Sequence, residues 1–146
     1  MRFSEAKNHR VMSVRDAATV GRLQRIAVDP ATSSIAGLKL RKTTGEGDTL
    51  AWSELEAFGR DAVTIDSADR IVRASGDLQR LLSKDYAVLG KRVLSVGGVD
   101  LGTVKDIDFD MGSGAVLTVI TERHEVPGTG IVGLGSYALV VDPARR

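Results

Sequence analysis

The chain has 146 residues, with 20 Lys and Arg residues against 19 Asp and Glu residues, and it contains no cysteine. The near-balanced charge argues against a strongly basic nucleic-acid binder or an acidic disordered tail, and the lack of cysteine excludes a disulfide framework and a thiolate zinc site. Only 4% of the residues are aromatic, whereas glycine occurs 16 times, a composition typical of short aliphatic strands joined by tight turns.

The sequence predicts neither a secretion signal nor a membrane-spanning segment. Residues 1–7 carry charges with no apolar stretch behind them, unlike a secretory signal peptide. The longest run without a charged residue, Val126–Val141, contains Pro127 and four glycines. It is shorter than the roughly 20 apolar residues of a spanning helix. We therefore expect a cytoplasmic protein without a transmembrane segment.

An internal repeat organises the chain. Four segments of the first half match four segments of the second half in the order and spacing of their apolar residues. The matching pairs are Arg10–Val14 with Arg92–Val96, Gly21–Asp29 with Gly102–Asp110, Ala36–Leu40 with Leu117–Thr121, and Gly59–Asp66 with Gly135–Asp142. The repeat predicts two copies of one unit, at residues 5–66 and 89–143.

Each copy has the pattern of short strands joined by turns. Alternating apolar residues such as Leu38 and Leu40 are typical of half-buried strands. Turn-forming residues at 29–34 in the first copy and 110–114 in the second predict a hairpin at both places. Residues 53–59 have the serine cap, early acids and closing glycine of a single helical turn, which precedes the last strand.

Residues 67–88 differ from the two copies. Leu78 and Leu81 lie among charged residues at helical spacing, and Asp77 is expected to cap a helix over Leu78–Ser83. This segment is therefore predicted to be a short helical linker that packs on one or both copies.

The predicted fold class is mainly all-β. Five or so short strands within about 55 residues fold most simply as a small barrel, because closure removes the exposed edges of so short a sheet. We expect two small antiparallel β-barrels in tandem, at 5–66 and 89–143, joined by the helical linker at 67–88.

These segments resemble the PRC-barrel family, whose barrel is shared by the photosynthetic reaction-centre H subunit and the ribosome maturation factor. In the second copy, Leu89–Val93 is similar to the family's opening G-K-x-V strand and Gly102–Asp110 is similar to its G-x-V-x-D-I strand. In the first copy, Leu50–Leu55 and Gly59–Val63 are similar to the family's loop, helical turn and last strand.

Each copy also departs from the family's pattern. The first copy has Arg25 where the second has Asp106, and the second copy ends in a glycine-rich run in place of the helical turn. The resemblance implies an adaptor fold without a catalytic motif. Known relatives dock on electron-transfer proteins or on ribosomal components, so the resemblance also implies that function depends on the partner.

Two motif matches fail because of their surroundings. Gly128–Gly133 matches the G-x-G-x-x-G dinucleotide fingerprint, but a strand is expected after it where a helix is required, so we expect a flexible loop lining or covering the barrel. Asp106–Gly112 resembles the start of a calcium loop, but its glycine is one place late and Leu117 stands where a bidentate glutamate is required.

No catalytic set is recognisable in the sequence. His9 and His124 are the only histidines, and neither lies at a spacing typical of a metal site or a catalytic site. No serine stands in a G-x-S-x-G elbow. We therefore expect no enzyme activity, no cofactor and no metal.

A local basic patch is predicted on the first barrel. Lys39 and Arg41 share one face of a strand, and the neighbouring strand adds Arg22 or Arg25. Such a patch suits RNA, although the aromatic stacking platform of a single-strand binder is absent from the sequence.

The third strand of the second copy is apolar on both faces, with Leu117 and Val119 on one side and Val116 and Ile120 on the other. One face is expected to fill the barrel, and the other to need cover from the first copy, the linker or a second chain. The residues predicted to contact a partner are Val116, Ile120, Ile131, Val132, Leu134 and Tyr137, with Arg25, Lys39 and Arg41 as a second, electrostatic patch.

The sequence therefore predicts a non-enzymatic protein–protein interaction adaptor that acts in assembly. Its protein partner is not identified by the sequence, and a homodimer built on a shared patch is one form of the prediction. An alternative is an RNA- or ribosome-associated maturation factor, whose binding would weaken steeply with salt. A further alternative is a soluble accessory module that docks on membrane electron-transfer proteins, although the chain offers no basic amphipathic helix for this role.

Overall fold

A computed structural model describes residues 1–145 of the chain. The strands of the first unit are β1 (Arg10–Ser13), β2 (Ala18–Asp29), β3 (Ser34–Arg41), β4 (Thr49–Ala51), β5 (Leu55–Phe58) and β6 (Ala62–Ile65). The strands of the second unit are β7 (Arg92–Ser95), β8 (Asp100–Phe109), β9 (Val116–Thr121), β10 (Glu125–Pro127), β11 (Ile131–Leu134) and β12 (Ala138–Val141). The helices are α1 (Phe3–Ala6) and α2 (Gly76–Leu82), with short 3₁₀ turns at Trp52–Glu54, Ala68–Arg70, Lys84–Tyr86 and Gly128–Gly130.

The two units have the same sheet topology. The strand order is β4-β3-β2-β1-β6-β5 in the first sheet and β10-β9-β8-β7-β12-β11 in the second, so equivalent strands occupy equivalent places. The predicted fold class, mainly β with two tandem units, is confirmed. Each sheet contains six strands, where about five were expected.

The prediction of purely antiparallel sheets is wrong at one pairing in each unit. β1 pairs with β6 and β7 pairs with β12 in parallel. Because of this parallel pairing, β4 and β5 run in the same direction. The 3₁₀ turn between them therefore does not reverse the chain. β6 then returns alongside β1 in the direction of β1.

The two edges of each sheet are joined by the chain itself. The edge strands β4 and β5 are consecutive and are separated only by the turn Trp52–Glu54, and β10 and β11 are separated only by Gly128–Gly130. Among residues 1–145, no backbone pairing is recorded between these edge strands. The helical turn predicted at 53–59 is wrong beyond Glu54, because Leu55–Phe58 forms β5. The glycine-rich run of the second unit, which was expected to replace this turn, contains a 3₁₀ turn at the equivalent place.

The helix α2 covers the outer face of the first sheet. Leu81 and Leu82 are buried against Ala27 of β2, and Leu78 packs beside Ala36 on β3. The predicted cap is wrong, because the helix begins at Gly76, so Asp77 lies inside it and its carboxylate accepts hydrogen bonds from Arg80. Among the helices of the described residues, none is both long and apolar enough to cross a bilayer.

The two units share one core and meet through equivalent hairpin turns. Ser34 and Ala115 stand at equivalent places of the repeat and form an antiparallel bridge with each other. The Ile35 amide donates to the Gly114 carbonyl, and the Val116 amide donates to the Ser33 carbonyl, both at 2.8 Å. A pairing of equivalent positions is the contact expected across an approximate two-fold axis.

The segment that precedes each unit packs on the other unit, so the two segments are exchanged. The helix α1, which leads into the first unit, packs on β8 of the second unit, where Phe3 is buried. The linker, which leads into the second unit, packs on β2 of the first unit through α2 and through residues 87–89. This exchange creates the surfaces described below.

Candidate functional site

The structure separates the predicted apolar contact residues by burial. Tyr137 and Val132 are exposed, Ile120 and Leu134 are half-buried, and the remaining two are buried. The buried two are Val116 and Ile131, which belong to the core and offer no surface to a partner.

A β-bulge explains why the faces of β9 differ from the expected ones. Phe109 pairs with Val116 and Asp108 pairs with Thr118, so Leu117 is an extra residue in β9. The extra residue reverses the alternation of side chains beyond it. Val116 therefore points into the core, where it meets the first unit, and Leu117, which was expected inside, is 50% exposed.

The three predicted basic residues lie together on the outer face of β2 and β3. Arg25 is directly opposite Lys39, and Arg22 is directly opposite Arg41. Two of these cations have partners, since Lys39 lies 3.6 Å from the carboxylate of Asp48 and Arg41 donates two hydrogen bonds to the side chain of Asn8.

Arg25 borders a cleft between the exchanged segments. The cleft has a volume of about 220 Å³. We call it the Arg25 cleft, and its lining residues are Phe3, Lys7, Gln24, Arg25, Ile26, Ala87, Val88 and Leu89. The Nε atom of Arg25 is enclosed and has no hydrogen-bond partner within the described part of the chain. An enclosed, unpaired donor on a permanently charged group is unusual in a folded protein.

In the second unit, the side chain at the position equivalent to Arg25 has hydrogen-bond partners within the chain. Asp106 of β8 stands where β2 has Arg25, and both strands carry a bulge immediately before this position. The carboxylate of Asp106 accepts the amide of Ser4 at 3.1 Å and the hydroxyl of Ser4 at 2.5 Å, and it also accepts the amide of Ile107. The N-terminal segment of the chain thus covers Asp106.

A second cleft adjoins the first on the other side of residues 87–89. We call it the Tyr137 cleft; it has a volume of about 330 Å³ and is lined by Lys84, Ala87, Leu89, Gly90, Lys91, Arg92, Ser136 and Tyr137. Among residues 1–145, Tyr137 is the most exposed large hydrophobic residue, at 73%. Lys91 holds the rim by donating to the carbonyls of Asp85 and Ser136.

The two clefts share Ala87 and Leu89 and form one basic and apolar surface. The structure brings Arg25 and Tyr137, which the sequence assigned to separate patches, to the two sides of this extended segment. Lys7 and Leu89 were missed by the sequence reasoning. The signal that could have found them is the repeat itself, because both stand three residues before the first strand of their unit.

Within the described residues, neither of the two motif matches, Gly128–Gly133 and Asp106–Gly112, forms a ligand site. In the Gly128–Gly133 segment, Gly128 and Gly130 are buried in a packed 3₁₀ turn, so the expected flexible loop is wrong. In the acidic segment, Asp106 faces Ser4 and Asp108 lies beside the Met1 amino group, so these carboxylates do not converge on one point. Within residues 1–145, no group of three metal-ligating side chains is suited to a metal ion.

Local hydrogen bonds shift the pKa values of several surface groups. The Ser113 hydroxyl and amide lower the pKa of Asp110, and the Gly102 amide and Arg92 lower the pKa of Asp100. The hydrogen bonds that the Arg80 guanidinium donates to Asp77, together with the neighbouring Tyr86, raise the pKa of Arg80. His9 contacts the carbonyl of Arg60 at 2.8 Å and stacks on Phe58, which gives it a structural place.

The comparisons with known proteins agree with this geometry. Residues 83–143 match the PRC-barrel domain. No curated protein matches the chain. The matched range begins in the linker and covers all six strands of the second sheet. The second unit therefore matches the PRC-barrel domain, and the first unit contains a sheet of the same strand order.

Proposed function

We propose that this chain is a non-enzymatic docking module that binds a protein partner during an assembly process, through the surface formed by the Arg25 cleft and the Tyr137 cleft. A small interaction or assembly module is the role that the PRC-barrel domain suggests. A cytoplasmic setting, as predicted from the sequence, is part of the proposal.

The exposure of Tyr137 carries the proposal. A tyrosine that leaves most of its ring in water, beside Leu89 and a rim of Lys84, Lys91 and Arg92, has the chemistry of an interface anchor. Tyrosine is enriched at the energetic centres of protein interfaces, because it buries a large rigid surface and still offers a hydrogen bond. The basic rim adds charge complementarity toward an acidic partner.

RNA binding through the same surface is less well supported. A single-strand binder stacks several bases on neighbouring aromatic side chains. Trp52 and Phe58 already stack on each other, with ring centroids 5.6 Å apart, and Phe58 meets Phe109 edge to face at 5.1 Å. Of the two aromatic side chains that line the clefts, Phe3 is buried and Tyr137 is exposed, and one exposed ring makes no stacking platform.

The experiment captures partners from a native lysate with the tagged full-length chain, in nuclease-treated and untreated halves. Tyr137→Ala is compared with Val96→Ala, a matched variant because Val96 is 60% exposed at a turn away from both clefts. We expect the same proteins to be captured by the wild type and by Val96→Ala after nuclease treatment, with about tenfold less recovered by Tyr137→Ala.

Two results would contradict the proposal. Capture that disappears with nuclease supports the RNA-associated alternative. Equal capture by Tyr137→Ala and the wild type removes the tyrosine anchor. Sedimentation of the purified chain tests a second copy as the partner, since a homodimer through this surface would dissociate in Tyr137→Ala and persist in Val96→Ala.

A further inference from the structure

We infer that the Arg25 cleft binds the carboxylate side chain of an acidic residue on a protein partner, with an aliphatic residue of the same partner seated beside it. This inference rests on the proposed docking function and names the chemistry of the partner at one of its two clefts.

The first step is the state of the Arg25 side chain. Its Nε is enclosed and unpaired within residues 1–145. Its two cationic neighbours on the sheet, Lys39 and Arg41, are already held by Asp48 and Asn8. A guanidinium pairs best with a carboxylate in a bidentate arrangement. A small rotation of Arg25 toward such a group would satisfy Nε and one terminal nitrogen together.

The second step is the shape and lining of the cleft. A volume of about 220 Å³ is below the range of pockets that hold drug-sized ligands, and it suits one or two side chains. Apolar lining from Phe3, Ile26 and Val88 suits the aliphatic part of a glutamate or a neighbouring leucine. Lys7 at the border adds a second positive charge.

The third step comes from the repeat. Ser4 lies six residues before Arg10 of β1 and bonds Asp106, whereas Tyr86 lies six residues before Arg92 of β7. Tyr86 could occupy the equivalent place over Arg25, but its ring lies 5.0 Å from the guanidinium of Arg80. The chain therefore closes the acidic site with its own segment and leaves the basic site open.

A carboxylate fits this cleft better than a nucleic-acid phosphate. Phosphate chains are bound by several available cations along a surface, because each phosphate contact releases counterions. In the Arg25 cleft, the half-buried Arg25 side chain, with its enclosed Nε, lies beside an apolar wall, and this arrangement favours a single charge on an apolar stem.

The test uses the full-length chain labelled with nitrogen-15 and follows the Nε–H signal of Arg25, assigned as the arginine signal that is lost in Arg25→Lys. The probes are acetyl-Leu-Glu-Leu-amide, its neutral counterpart acetyl-Leu-Gln-Leu-amide, and inorganic phosphate. We expect the glutamate peptide to shift the Arg25 signal in a saturable way, with an affinity about tenfold above that of the glutamine peptide.

Two variants separate a specific site from a general positive field. Arg25→Gln should remove the binding of the glutamate peptide, whereas Lys42→Gln, which removes an exposed cation just past the end of β3 that lines neither cleft, should leave it within about twofold. The amide spectrum of each variant checks that the fold is retained. Equal binding of both peptides, equal loss in both variants, or a larger shift with phosphate than with the glutamate peptide would each overturn the inference.

Failure of this inference is distinguishable from failure of the proposed function. If partner capture needs Tyr137 and is unchanged in Arg25→Gln, the docking function stands and the carboxylate site is overturned. If the glutamate peptide binds at Arg25 while no protein survives nuclease treatment in the capture, the carboxylate site stands and the docking function is overturned.

Discussion

Arg25 and Asp106 occupy the same place in two sheets of the same topology and have opposite charges and opposite surroundings. Asp106 lies beneath Ser4, which donates both its amide and its hydroxyl to the carboxylate. Arg25 faces a cleft, with an enclosed Nε that finds no partner among residues 1–145. The repeat therefore sets the backbone, whereas the segments exchanged between the units determine which of the two equivalent positions is covered.

The outer faces of the two sheets differ in the same way. The bulged residue of β3, Ala36, packs against Leu78 of α2, whereas the equivalent residue of β9, Leu117, is half exposed. A small side chain stands under the helix and a larger one faces solvent. Equivalent backbone positions therefore carry side chains that match the cover each unit receives.

The largest expected effect is at the turn that joins the edge strands. The first unit has Trp52 at the start of this turn, and the second has Gly128. A Cβ atom at Gly128 would lie 1.8 Å from the Val116 carbonyl oxygen, so the backbone must shift. We expect Gly128→Ala to lower the free energy of unfolding by about 3 to 4 kcal/mol, measured by urea denaturation.

Gly135→Ala is the control for that prediction. Gly135 stands at the next turn of the same unit, and a Cβ atom there would meet nothing within 4 Å. Its effect on the free energy of unfolding should stay within about 0.5 kcal/mol. Equal free energies of unfolding for the two variants would show that the turn at Gly128 has room for a side chain.

The second prediction concerns the cover over the first sheet. Leu81 of α2 is buried against Ala27, so Leu81→Ala should lower the free energy of unfolding by about 2 to 3 kcal/mol. Leu117→Ala, at the uncovered face of the second sheet, should cost less than about 1 kcal/mol because half of the side chain is already in water. Thermal denaturation of both variants checks this, and a reversed order would contradict the difference between the two faces.

The third prediction separates the closed site from the open one. Asp106→Ala should lower the free energy of unfolding by about 1 to 2 kcal/mol, because it leaves the Ser4 amide and hydroxyl without their acceptor. Arg25→Ala should cost less, because no hydrogen bond to its Nε is lost. In a double-mutant cycle by urea denaturation, Ser4→Ala should couple to Asp106→Ala and not to Arg25→Ala. Coupling of Ser4→Ala to Arg25→Ala would contradict the conclusion that the N-terminal segment closes the Asp106 site and leaves the Arg25 site open.

The smallest expected effect is a pH dependence at the turn between β8 and β9. The pKa of Asp110 lies below its ordinary value of 3.8 because the hydroxyl and amide of Ser113 donate to the carboxylate. A carboxylate with a lowered pKa in the folded state stabilises the fold above about pH 4, and this contribution is lost as the pH falls through the lowered value. Denaturation curves between about pH 5 and pH 2 should therefore show a shallower acid loss in Ser113→Ala. An unchanged acid limb would exclude Asp110 as a contributor.

The repeat made much of the fold predictable. The matched segments located the equivalent strands, and the turn residues located the β2–β3 and β8–β9 hairpins. The parallel pairing of β1 with β6 was missed, because a 3₁₀ turn that keeps the chain direction leaves no mark in the alternation of apolar residues. The burial of Val116 was missed for a related reason, since a one-residue bulge at Leu117 reverses the faces without changing the composition.

The candidate site was predictable only in part. Arg25 and Tyr137 stood out by charge and by position, but their proximity depends on residues 87–89 packing against the first unit. That packing is a contact between distant parts of the chain, and local patterns of charge and hydropathy carry no information about it. The linker was expected to pack on one or both units, and the structure shows that it packs on β2 of the first unit.

The exchange of segments also sets the order in which the molecule can be completed during synthesis. Ser4 and Asp106 are 102 residues apart in the chain. At a synthesis rate of about 5 to 20 residues per second, Ser4 waits roughly 5 to 20 seconds for its acceptor. The buried ring of Phe3 shares this delay, because it packs with the same helix on β8. During that interval the nascent chain exposes the Phe3 ring, and so its yield in the cell should depend on what protects that ring until β8 has been made.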